Sequence, residues 1–160
     1  MKKNLKLSMI GKPILMFLLS ILFINAFARG GVDTYVISLN GKVLVRQSLA
    51  DPLDLKDLPL TAANSKDKLV IQYMQCNAPS KVGKNRVITL KNAEGTVVKE
   101  WKFSDAIGEN SAMVIPVKEI LALQTTSNSS LSFFYSADGL PKTIKLAALQ
   151  PKTKTNKSNS

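Results

Sequence analysis

The chain has 160 residues, 22 of them Lys or Arg against 11 Asp or Glu, a formal charge of +11, one cysteine and no histidine. Without histidine it lacks the commonest general base, the commonest metal ligand and every triad that runs through imidazole. A single cysteine allows no intramolecular disulfide, so the fold must rest on its apolar core.

Lys2, Lys3, Lys6 and Lys12 precede an apolar run from Ile14 to Ile24, and Ala26-Phe27-Ala28 follows. A basic start, a short apolar centre and a small-x-small site make up the layout of a cleaved secretory signal, here residues 1–28. The alternative is a retained anchor, but the run is shorter than the roughly 20 apolar residues a spanning helix needs. It also opens at Pro13 and soon meets Asn25. No cysteine lies near the site to carry a lipoprotein lipid. Removing four leader lysines leaves 18 basic residues against 11 acidic ones in residues 29–160, a single-domain length. Lys152, Lys154 and Lys157 belong to a polar tail, 151–160, expected to be disordered, so residues 29–150 carry about +4. In an exported protein that excess points to an anionic envelope component or an acidic protein partner before nucleic acid, with no stable membrane insertion after cleavage.

Period-two alternation dominates the rest. Tyr35, Ile37 and Leu39 alternate with Val36, Ser38 and Asn40, Asn40-Gly41 suits a tight hairpin turn, and Lys42 to Ser48 returns. Ala50 to Asn64, with Pro52 and Pro59, reads as an irregular crossing. Leu69 to Cys76 has apolar residues on both faces, which predicts a central strand covered on both sides and a buried, inert Cys76. Arg86 to Asn92 and Thr96 to Phe103 form a second hairpin around Gly95, with Val97, Trp101 and Phe103 on one side of the return strand. Met113, Ile115 and Val117 share a face, and Lys118 to Gln124 fits a strand continuation or a helical turn equally well. Leu131 to Ser136 and Lys142 to Leu149 complete the set, the last with Ile144, Leu146 and Ala148 inward. The two hairpins resemble each other, though unequal loops weaken the case for a duplicated unit. Seven to nine short strands on a chain of this size predict an all-β fold, an antiparallel two-layer β-sandwich.

The best binding candidate is the loop from Ser80 to Arg86, where Lys81, Lys84 and Arg86 surround Gly83. Three cations beside a glycine let backbone and charge approach an anion together, although the spacing is not that of a phosphate-binding P-loop. Asp51, Asp54 and Asp57 do not match a calcium loop, and their interleaved leucines suggest solvated carboxylates on an inward-tucking segment. Asp105 with Glu109, or Ser80 with Lys84, could be drawn as catalytic pairs, but neither sits in a strained nucleophile turn or beside an oxyanion motif. Trp101 shares a side with apolar neighbours and reads as core. No cofactor or metal site is implied.

The export leader, the hairpin at Leu39-Asn40-Gly41-Lys42, the strand entry Lys84-Asn85-Arg86-Val87-Ile88-Thr89-Leu90 and Tyr135-Ser136 together resemble the small secreted β-sandwich proteins of bacterial envelopes. That resemblance implies a fold and a location and carries no activity. The expected function is an exported, non-catalytic binding or accessory domain, periplasmic or secreted. The alternatives are an assembly module that joins a larger complex through a strand edge, and, less favoured, a small hydrolase.

Overall fold

A computed structural model describes residues 31–105, 111–127 and 129–149. The leader, 1–28, and the tail, 151–160, lie outside the described residues. Eight strands form in chain order: β1 (Thr34–Leu39), β2 (Lys42–Ser48), β3 (Lys68–Met74), β4 (Arg86–Lys91), β5 (Val97–Phe103), β6 (Met113–Pro116), β7 (Leu131–Ser136) and β8 (Ile144–Leu149). One helix, α1 (Val117–Thr126), follows β6. The strands make two four-stranded antiparallel sheets, β2-β1-β3-β6 and β5-β4-β7-β8.

Local chemistry accounts for the elements. Asn40 (φ 48°) and Gly41 (φ 81°) both take left-handed backbone, the requirement of a two-residue hairpin turn that matches strand twist. Asn40 also reaches across to Asp67, its Nδ2 donating to Oδ1 at 2.7 Å. After Pro116, Val117, Ile120, Leu121 and Gln124 are buried at helical spacing, so the undecided stretch is a helix rather than a strand.

The inward residues of both sheets belong to one hydrophobic core. Tyr73 of β3 stacks on Tyr135 of β7 with ring centroids 4.2 Å apart. Tyr35 of β1 donates its hydroxyl to the Leu146 carbonyl of β8 at 2.8 Å, joining the other sheet. The crossing between β2 and β3 contributes Leu58 and Leu60 to the core and bonds the edge of β8 through Leu58 N to Ala148 O and Ala148 N to Lys56 O.

Two β-bulges correct the expected facing of side chains. A shift between Leu90 and Lys91 leaves Val97 exposed and brings Val98 against the core beside Trp101 and Phe103. Another between Phe133 and Phe134 buries Leu146 and Ala147, where simple alternation placed Ala148 inward. The expectation that β3 is covered on both faces is also corrected. Leu69, Ile71 and Tyr73 are buried, whereas Lys68, Gln72 and Met74 are exposed and Val70 is half-buried.

Candidate functional site

The open face of the first sheet carries a groove of about 730 Å³. Because Tyr35 and Ile37 point into the core, Val36 and Ser38 of β1 must point outward. Register then places Val36 between Arg46 of β2 and Gln72 of β3, and Ser38 between Val43 and Val70. Val36, Val43 and Met74 form an apolar floor, and Val43 and Met74 are 46% and 52% exposed. Val70 pairs onward with Val114 of β6, which is also exposed, so apolar side chains run across all four strands. That is unusual for a solvent-facing sheet surface.

Among the described residues, the groove's charged lining consists of Arg46 on β2 and Lys81 on the loop after β3, with no carboxylate. Lys81 sits beside the end of β3 because its carbonyl accepts from Gln75 N at 2.9 Å. It adopts left-handed backbone (φ 58°), as does Asn85 (φ 50°), and a non-glycine residue holds that conformation only where its surroundings fix it. The fixing contacts are explicit. Lys81 Nζ donates to Cys76 O at 2.8 Å, Asn85 N donates to Asp105 Oδ1 at 2.9 Å, and Asn85 Nδ2 donates to Asp138 Oδ2 at 2.8 Å. Gly83 is buried so tightly that a Cβ there would lie 2.5 Å from Ala137 Cβ and 2.6 Å from Gln75 Oε1.

The three cations expected to act together have separate fates. Lys81 is exposed on the groove and Lys84 is exposed further along the loop. Arg86 is 3% exposed, with Nη1 donating to Ser111 O and Nη2 to Ser104 O, both at 2.6 Å. Its guanidinium therefore ties β4 to the flanking chain and is withdrawn from any surface ligand. Arg46, which sequence reasoning missed, replaces it at the site. Simple hairpin register would set Arg46 opposite Tyr35 and inward; the bulge between Ile37 and Ser38 brings it opposite Val36 and outward, and that bulge has no sequence signature.

The floor of the site is polar on its core side. Asp33 accepts from the Tyr73 hydroxyl at 2.9 Å and from Cys76 N at 2.9 Å. Burial, followed by the bond to Asp33, pushes the Tyr73 hydroxyl well above its usual range. Burial likewise pushes Tyr135 up to about 12, partly opposed by the charge of Arg86. Cys76 is half-buried, its thiol donating to Val32 O at 2.9 Å.

The residues considered for catalysis are otherwise engaged where they are described. Ser80 Oγ donates to Val82 O at 2.9 Å, and Asp105 caps the Asn85 amide; Glu109 lies outside the described residues. Asp54 pairs with Lys56, and no group of three or more metal-ligating side chains converges among the described residues. Trp101 is half-buried, its Nε1 donating to Glu119 Oε2 at 2.9 Å.

A second cationic surface lies on the outer face of the other sheet. Lys91 stands 5.1 Å over the ring of Phe134, whose cross-strand neighbours are Thr89 and Lys145, with Glu100 beyond Thr89. Glu100 offsets part of that charge, and Phe134 is already covered by a lysine. No helix among the described residues is long and apolar enough to cross a membrane. No family model, curated protein or solved structure matches the chain.

Proposed function

We propose that the chain is an exported, non-catalytic binding domain of the cell envelope, folded as a two-layer β-sandwich, whose groove receives an anionic envelope component or an acidic protein partner. The observation that carries this reading is the groove's lining: an apolar floor with two cations and, among the described residues, no carboxylate. A concavity of this size falls in the range of small-ligand sites, and cations without counter-charges complement an anion. Lys81 is the inner contact, Arg46 flanks it, and Lys84 adds longer-range attraction. The export leader supports a periplasmic or secreted location.

Assembly through a strand edge has less support. Of the four sheet edges, β5 carries Lys99, Glu100 and Lys102, β6 has four residues, β8 is already bonded by the Lys56–Leu58 segment, and β2 carries Lys42 and Arg46 and is bulged against β1. The test is co-sedimentation with phosphatidylglycerol vesicles and retention on an acidic polysaccharide resin, at rising salt. Binding to at least one should weaken steeply with salt and fall at least tenfold in an Arg46→Glu, Lys81→Glu variant. Equal binding by that variant would remove the groove from the account.

A further inference from the structure

We infer that the groove's ligand is a single-chain anionic amphiphile, an acidic head held by Lys81 and Arg46 with its alkyl chain laid along Val36, Val43 and Met74. The inference rests on the anionic reading of the groove and goes beyond it by fixing the ligand's chemistry.

The cations lie at one end and the middle of the groove, and apolar side chains run along its whole length. Met74 pairs with Thr34 at the end of β1 nearest Lys81, whereas Val43 pairs with Ser38 four residues further along β1. Antiparallel strand rises by about 3.4 Å per residue, so those positions are about 14 Å apart. Lys81 stands at one end, Arg46 borders the middle beside Val36, and apolar side chains continue toward Gly41. A purely ionic head would contact the cations and leave the exposed Val43 and Met74 unused. A sugar would stack on aromatic faces, but the tyrosines under the groove, Tyr35 and Tyr73, are 1% exposed and point into the core. An acyl chain with an acidic head uses both features, because burying its methylenes is favourable and its head meets the positive charge of Lys81 and Arg46. The head could be the carboxylate of a free fatty acid or the phosphate of a one-chain phospholipid.

The protein as exported by its cell would be titrated calorimetrically, below micelle-forming concentrations, with dodecanoate, octanoate, lauroyl lysophosphatidylglycerol and the neutral dodecyl maltoside. Dodecanoate or the lysolipid should bind, the tighter one identifying the source of the head. Each methylene removed from the buried part of the chain should weaken binding about fourfold. Lys81→Glu should weaken it at least tenfold. Met74→Asp and Val43→Asp, at exposed positions that folding tolerates, should each do the same, with thermal melts confirming their fold. Maltoside binding equal to that of dodecanoate, or affinity indifferent to chain length, overturns the inference. If anionic vesicles or acidic polysaccharide bind through Arg46 and Lys81 while neither one-chain probe does, the amphiphile is wrong and the anionic groove stands. If no anionic probe binds, both are wrong.

Discussion

The three buried tyrosines separate hydroxyls that have partners from one that does not. Tyr35 bonds the Leu146 carbonyl and Tyr73 bonds Asp33, whereas Tyr135 Oη has no partner among the described residues. Tyr35→Phe leaves a buried carbonyl unpaired and should cost about 1–2 kcal/mol, while Tyr135→Phe removes an unsatisfied hydroxyl and should stay within about 0.5 kcal/mol of the parent, both read by urea unfolding. All three hydroxyls are harder to ionise in the folded protein than at their ordinary value of 10.0. Unfolding releases them to titrate, so their contribution to stability is fully present below about pH 10 and falls as pH rises, that of Tyr135 being lost through about 12. Melting temperature should decline from pH 10 upward, and less steeply in Tyr135→Phe. Arg86 shows what was legible at this scale. A cluster of cations in sequence suggested one site, yet Arg86 shares its parity with Ile88 and Leu90, the inward residues of β4. Parity, applied as strictly to the charged residue as to its apolar neighbours, would have separated it from Lys81.

The hairpins, the strand Leu131–Ser136 and the burial of Met113, Ile115 and Val117 were readable because turn chemistry and period two agreed there. What failed were places where one residue of register changed the answer. Neither bulge has a sequence signature, and each exchanges two adjacent apolar side chains, Val97 with Val98 and Ala147 with Ala148. The helix was written in Val117, Ile120, Leu121 and Gln124, but the preceding strand's alternation ran into it without a break. For β3, apolar Val70 and Met74 do not mark a second covered face. They are instead apolar side chains on an open one, which is why the groove itself was not legible. The loop carrying Lys81 is held against β7 at Gly83, so Gly83→Ala should destabilise by about 1–3 kcal/mol through overpacking. Gly95→Ala has space for its methyl but sits at φ 81°, and should cost about 1 kcal/mol through backbone alone. Thermal melts of the two variants distinguish clash from strain; a smaller loss for Gly83→Ala would mean the loop is free to move away from β7.

At the scale of the whole molecule, the formal +11 is distributed unevenly: four lysines fall in residues 1–28 and three in residues 151–160. What remains on the folded part is modest, so placement matters more than the total. One open sheet face pairs two cations with an apolar floor; the other pairs lysines with a carboxylate and an already covered ring. The first of these faces is the one proposed to bind. That proposal is tested most directly by amide chemical-shift mapping of the isotope-labelled protein titrated with dodecanoate and, separately, with a short acidic oligosaccharide. Saturable shifts confined to 34–38, 43–46, 72–74 and 80–82 are expected with at least one ligand, abolished by Arg46→Glu with Lys81→Glu. Shifts centred on Lys91, Phe134 and Lys145, or none with either ligand, would contradict the proposal.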